Sequence, residues 1–196
     1  MKDLSKILQI RYNNVRPAAG KLLLAEPFLG DPFFSRSVVL LIEHNEEGSF
    51  GLIINKQVPV KPAEAISSLG NYEGKVFVGG PVQPRSIFYL HTLGQRLEGS
   101  LPVIDHLYWG GDAMQLNQMI MKGEVKPGEV RFFLGYSGWS PGQLQDELKR
   151  DSWLVTKASA DFLLNTPPRH LWKALLQRMG GKYAYWINFP TDPLLN

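Results

Sequence analysis

A chain of 196 residues with 44% apolar and 11% aromatic side chains is long enough for one domain with a buried core. The absence of cysteine excludes disulfides, thiol catalysis and cysteine-based zinc or iron–sulfur sites. The net charge of +3 is unevenly spread: Lys2, Lys6, Arg11, Arg16 and Lys21 face only Asp3 within residues 1–21, a net +4, which leaves −1 for residues 22–196. Nucleic-acid binding needs a basic face, and the body of the chain shows no basic excess. No apolar run nears the roughly 18 residues of a membrane span, and the start of the chain lacks the apolar stretch of a secretory signal. A cytoplasmic protein is expected.

In chain order, residues 3–13 predict a short amphipathic helix with Leu4, Ile7, Leu8 and Tyr12 on one stripe and Lys2, Lys6 and Arg11 off it. Residues 1–19 are read as a basic helical extension and 20–196 as the domain proper. The extension either packs on its own domain or a second subunit, or touches nucleic acid or membrane; Asn and Asp interrupt the basic run, which favours packing. Residues 22–25 are an apolar run, 37–42 a buried strand and 49–55 another. The polar Asn45-Glu46-Glu47-Gly48 between the last two predicts a β-hairpin. Residues 62–69 predict a short helix opened by Pro62. A strand over 75–78 ends at the Gly79-Gly80-Pro81 turn, and another covers 86–91. The segments 101–104 and 107–109 are ambiguous. Asp112 caps a helix to Met121, with Ala113, Leu116 and Ile120 inward, and 130–134 is a strand. Ser140, Pro141 and Gln143 predict a helix start with Ser140 as N-cap and Gln143 completing a capping box, Leu144 and Leu148 facing the core. A strand over 153–156 and a helix over 168–179, with Leu171, Leu175 and Leu176 inward, complete the reading. Strands in runs with helices interspersed later indicate an α+β fold with a mixed or antiparallel sheet.

Chemistry is sparsely signalled. His44, His91, His106 and His170 share no metal-ligand spacing, and no metal or cofactor is expected. His44 is read as bonding a turn carbonyl. Gly135-Tyr136-Ser137-Gly138-Trp139 approaches a nucleophile elbow, but Trp139 stands where a small residue is needed, which argues against Ser137 as a nucleophile. The same segment, taken as a Gly-rich loop before a helix, could cradle an anion, although it lacks the Lys-Ser/Thr of a phosphate loop. The plainer reading is a turn whose helix end is already capped. Glu46 and Glu47 read as solvated turn residues, and Tyr136, Trp139 and Trp153 as either a ligand platform or core.

Four blocks then stand out together: Gly20-Lys21-Leu22-Leu23-Leu24-Ala25-Glu26-Pro27 with Asp31-Pro32-Phe33-Phe34 and Arg36-Ser37-Val38-Val39; His44 and Gly48 with Gly51-Leu52-Ile53-Ile54-Asn55; Gly79-Gly80-Pro81-Val82; and Gly135-Tyr136-Ser137-Gly138-Trp139 with Gly142-Gln143-Leu144 and Glu147. In this order the chain resembles the AlgH/YqgE family of bacterial proteins over residues 20–153. The resemblance implies a single α+β domain whose mixed, mostly antiparallel, bifurcated sheet curls into a pseudo-barrel with flanking helices. It implies no catalytic residue, since none is established for a family generally treated as uncharacterised. The family often has alanine where Ser137 stands. Its transcriptional-regulator label comes from one member linked to alginate production. The chain has no evident helix-turn-helix, because a strand separates the helices starting at 112 and 140.

The reading that results is a non-enzymatic domain that binds a small ligand or a protein partner, with a regulatory role left open. Asn55, Gly79, Gly80, Gly135, Gly138, Trp139, Gln143 and Glu147 are its candidate positions, because they fall at strand ends and turns, where sites usually lie. One alternative is an enzyme acting on a phosphorylated or carboxylated small molecule through the 135–142 loop. The other is a DNA-associated regulator using the basic arm. Nucleic-acid and membrane partners are not expected, and a homo-oligomer is compatible with the sequence.

Overall fold

Strand β1 (Leu22–Ala25) is apolar and buried along its whole length. It pairs antiparallel with β2 (Val38–Asn45) on one edge and with β10 (Trp153–Thr156) on the other. A strand covered on both faces has no polar side, which explains the unbroken apolar runs in β1 and the first half of β2. Glu46 and Glu47 turn the chain into β3 (Gly48–Ile53), with Asn45 opposite Gly48, so the expected hairpin is present. The computed structural model describes residues 13–66, 69 and 72–189. The helix expected over 3–13 lies outside the described residues except for Asn13. That side chain bonds the N–H and C=O of Val155 at 3.3 and 2.6 Å, covering part of the outer edge of β10.

The sheet continues through β9 (Val130–Trp139) to β6 (Val82–His91), β8 (Leu107–Trp109) and β7 (Leu101–Ile104). The two ambiguous segments are therefore strands, paired antiparallel to each other. The path ends at β10 and β7, so the sheet is open and not closed into a barrel. Its bifurcation is carried by β9. Along one edge, residues 131–134 of β9 run parallel to β5 (Lys75–Val78), which pairs with β4 (Gln57–Val58). Further along the same edge, residues 137–139 pair antiparallel with β3.

Segment 135–139, expected to be a loop, is thus the second half of a strand. Its glycine makes a bend within the ladder. Gly135 has φ +68, and beyond it the side-chain alternation inverts. Phe133 and Tyr136 then face the same cluster, although they are an odd number of residues apart. At the fork the β5–β6 connection crosses β9 backbone on backbone. A Cβ on Gly79 would lie 2.2 Å from the Gly135 carbonyl oxygen, and one on Gly80 2.2 Å from that of Tyr136.

Helices cover both faces. Helix α4 (Ala160–Asn165), α5 (Pro168–Met179) and a 3-10 stretch (Gly181–Asn188) pack Leu163, Leu171, Trp172, Leu175 and Trp186 on one side. Trp172 Nε1 donates to the Ala25 carbonyl at 2.9 Å and ties α5 to β1. Helix α3 (Gln143–Lys149) packs Leu144 and Leu148 on the opposite side, and α2 (Ala113–Met121) covers the second arm. Asp112 caps α2 as expected, accepting from Met114 and Gln115 N–H at 2.8 and 3.0 Å. Met119, and not Ala113, joins Leu116 and Ile120 inward; Ala113 is exposed. Helix α1 (Pro62–Ala65) stops at Ile66, which is extended, so it is shorter than expected. Helix α4, capped by Ser159, and the 3-10 stretch had no counterpart in the sequence reading, being too short or too irregular to show a period.

His91 closes the β6–β8 corner and is 1% exposed. Its Nε2 lies 2.8 Å from the Gly110 carbonyl, and its Nδ1 accepts from Leu93 N–H at 3.2 Å. Both bonds hold only for a neutral ring protonated on Nε2. Burial accordingly holds the His91 pKa below its ordinary value of 6.5. The unfolded chain takes up this proton as pH falls through about 6.5, while the fold resists it, so the stability present above that pH is lost on acidification. Urea midpoints measured between about pH 7.5 and 5.5 are expected to fall more steeply for the parent than for His91→Gln. At the fork, Gly80→Ala is expected to cost more than about 3 kcal/mol or abolish folding. Gly30→Ala, whose Cβ meets nothing within 4 Å, should leave the melting temperature unchanged.

Candidate functional site

Three of the expected positions meet around one carboxylate. Gln143 and Glu147 sit one turn apart on α3, and Trp139 ends β9. Glu147 Oε2 accepts from Trp139 Nε1 at 2.8 Å and from Trp153 Nε1 at 2.7 Å. Glu147 Oε1 accepts from Gln143 Nε2 at 2.9 Å. The two indoles are buried and meet edge to face at 5.9 Å, with Phe34 against both. Two indole N–H groups have no acceptor in an apolar core unless one is supplied, and Glu147 supplies it from the helix above. The arrangement is a brace joining β9, α3 and β10.

The helix start differs from expectation. Ser140-Pro141-Gly142-Gln143 closes as a turn, with Gln143 N–H on the Ser140 carbonyl at 3.0 Å. Gly142 is the N-cap of α3, at φ +78 and ψ −18, the conformation that a type II turn asks of its third residue. Pro-Gly satisfies that turn better than it satisfies a Ser cap. Half of the expected box survives, because Gln143 Oε1 accepts from Ser140 N–H at 3.0 Å. The anion cradle imagined over 135–142 is absent for the same reason: Gly135 and Gly138 belong to a paired strand, and α3 has only seven residues. Ser137 is fully buried and its hydroxyl donates to the Gly79 carbonyl at 3.0 Å, so the nucleophile-elbow resemblance has no exposed hydroxyl behind it.

Gly79, Gly80 and Gly135 gather at the fork. Asn55 lies elsewhere: its Oδ1 accepts from Val38 N–H at 2.8 Å and its Nδ2 donates to the Arg36 carbonyl at 3.0 Å, fastening the end of β3 to the start of β2. Gly138 and Trp139 line a groove of about 550 Å³ between the β2–β3 hairpin and the end of β9, with Glu43, Glu47, Tyr136 and Ser140. A second depression of about 370 Å³ adjoins it, sharing Glu43 and Phe50 and adding Phe88, Leu101 and Trp109. Phe50 meets Tyr136 at 4.8 Å and Trp109 at 5.0 Å, and Phe88 meets Trp109 at 5.6 Å. All four rings are half-buried, whereas Leu101 is 59% exposed. Glu43 and Glu47 are exposed on the rim, and among the described residues no Lys or Arg lines either depression. His44 bonds the Ser49 hydroxyl at 2.7 Å, not the turn carbonyl expected of it.

The sequence reading missed Phe50, Phe88 and Trp109 because they lie on three strands and only the register brings them together. Among the described residues no group of three His, Asp or Glu could hold a metal ion, and no helix is long and apolar enough to cross a membrane.

A forked, open sheet with helices on both faces defines an α+β single-domain protein, and solved structures share that fold. A Corynebacterium diphtheriae protein aligns at TM-score 0.75 and 22% identity over 94% of this chain and 97% of its own. The AlgH protein of Pseudomonas aeruginosa aligns at TM-score 0.68 and 28% identity over 90% of this chain and 97% of its own. The AlgH-like family model (DUF179) matches residues 22–184, and the chain belongs to that family. A UPF0301 protein of Bacteroides thetaiotaomicron is 45% identical over 193 residues, 98% of each chain. One of Chlorobaculum tepidum is 45% identical over 177 residues, 90% of this chain and 95% of its own.

Removing the shared acceptor tests the brace. Glu147→Ala leaves two indole N–H groups unpaired and is expected to cost about 2–4 kcal/mol by urea denaturation. Gln143→Ala, which removes one donor and one acceptor from two exposed hydrogen bonds, should cost less, about 1 kcal/mol.

Proposed function

We propose that this chain is a non-enzymatic binding domain whose site is the groove beside the β2–β3 hairpin, and that it takes an organic cation there. The observation that carries the reading is an aromatic floor of Phe50, Phe88, Trp109 and Tyr136 set beside Glu43 and Glu47, with no basic side chain among the described residues of the lining. The faces of aromatic rings attract guanidinium and ammonium groups, and rim carboxylates add to that attraction. Gly138 and Trp139 form the wall of this site in our reading. Gly79, Gly80, Gly135, Gln143 and Glu147 hold its wall in place through the fork and the brace. An acidic rim opposes a phosphate backbone, which speaks against nucleic acid at this face. We take the protein to be cytoplasmic, a location that its lack of cysteine suits.

The test uses arginine amide and norleucine amide as probes, read by the fluorescence of the tryptophans and by side-chain NMR shifts. Arginine amide is expected to bind at millimolar concentration and norleucine amide weakly. Tyr136→Ala and Glu43→Gln should each weaken arginine amide by about three- to tenfold. Equal binding of the two probes, or binding untouched by both substitutions, overturns the reading.

A further inference from the structure

A second cleft, of about 600 Å³, lies between β4–β5 and the corner where α4 passes into α5. Its polar lining includes Lys56, Lys75, Arg169, Gln57, Asn165 and Thr166, with no carboxylate among the described residues. We propose that this cleft is a binding site for a small multivalent anion, a phosphorylated or polycarboxylated metabolite.

The first argument is unbalanced charge. Among the described residues, Lys56, Lys75 and Arg169 form no ion pair within 4.0 Å. Lys56 Nζ donates to the Pro32 carbonyl at 3.0 Å; its burial lowers its pKa, and Asp31 partly offsets this. Arg169 uses Nε on His170 Nε2 at 3.0 Å, which leaves the terminal guanidinium nitrogens for a ligand.

The second argument is the register of the sheet. Lys75 on β5 stands directly opposite Arg131 on β9, so both side chains leave the same face. Like charges directly opposite across a ladder repel. Arg131 is 7% exposed, and its guanidinium donates to the carbonyls of Leu163 and Leu164 at 3.3 and 2.7 Å, with Phe77 beneath it at 5.6 Å. Burial pushes its pKa down to about 10, so it remains charged at neutral pH, with no carboxylate bonded to it among the described residues. Leu164 is itself part of the cleft wall, so this buried charge lies close behind the cleft. An anion in the cleft would offset the buried Arg131 charge behind its wall and the Lys75 charge that leaves the same face of the sheet.

The third argument is the orientation of α5. This twelve-residue helix begins at Pro168, and Pro167, Pro168 and Arg169 line the cleft. Its N-terminus has no side-chain cap and no acidic residue in its first turn, which is where a carboxylate normally answers the positive end of the helix dipole.

The full chain is titrated with inorganic phosphate and with citrate, against sodium chloride at matched ionic strength, by calorimetry and thermal denaturation. Phosphate or citrate is expected to bind saturably and raise the melting temperature, and chloride is not. Preference for phosphate assigns a phosphoryl ligand and preference for citrate a polycarboxylate, and either supports the site. Lys75→Gln and Arg169→Gln should each weaken the anion about tenfold. Without added anion, Lys75→Gln should melt no lower than the parent, since Lys75 is exposed and forms no ion pair among the described residues. Arg169→Gln alters an exposed position and provides a second variant. A phosphate response that survives both substitutions, or that chloride reproduces, overturns the proposal.

Discussion

One strand edge serves two partners, and the molecule is arranged around that constraint. Strand β9 offers its first half to β5 and its second half to β3, while β6 occupies the other edge. Strand β5 runs parallel to β9 and β3 antiparallel. The bend at Gly135 separates the two regimes and rotates the second half so that Tyr136 faces the same cluster as Phe133. The chain leaving β5 must then pass across the bend, and only glycine at 79 and 80 leaves room for the backbones to cross. The Ser137 hydroxyl completes the junction by bonding the Gly79 carbonyl.

Both depressions follow from the fork. On the β3 side, the rotated end of β9 brings Tyr136 beside Phe50 and opens the groove under the hairpin. On the β5 side, the parallel register sets Lys75 against Arg131 beneath the α4–α5 corner. One is rimmed by carboxylates and the other by cations. A body whose charge sums to −1 thus sets carboxylates at one depression and cations at another.

That segregation explains what the sequence could and could not disclose. Strand 75–78 and helix 168–179 are legible to the residue because Gly and Pro punctuate them, and strand 153–156 because its apolar run stands between polar residues. The Asp112 cap is legible because its chemistry is local. Segment 135–139 is not, since two glycines suggest a loop, and only the availability of β3 as a partner makes it a strand. The candidate positions follow the same division. The glycines, Gln143 and Glu147 stand out in a linear reading, and the structure uses them in the fork and the brace. The aromatic floor draws one ring each from β3, β6, β8 and β9, so no sequence window contains it. Lys56, Lys75 and Arg169 are scattered along the chain among acidic residues that end up elsewhere, and a net charge averages them away.

The pairing of β1 with β10 has a consequence for how the protein is made. Leu22 lies opposite Thr156, so the first strand of the domain lacks one of its two partners until more than 130 further residues have been synthesised. The fork adds to the delay, since β3 and β5 both await β9. Such long-range pairings are slow, because loop closure must precede the contacts that reward it. During synthesis the nascent chain therefore presents the bare edges of β1 and β3, flanked by apolar side chains, and must be kept from pairing with its neighbours until residue 156 emerges.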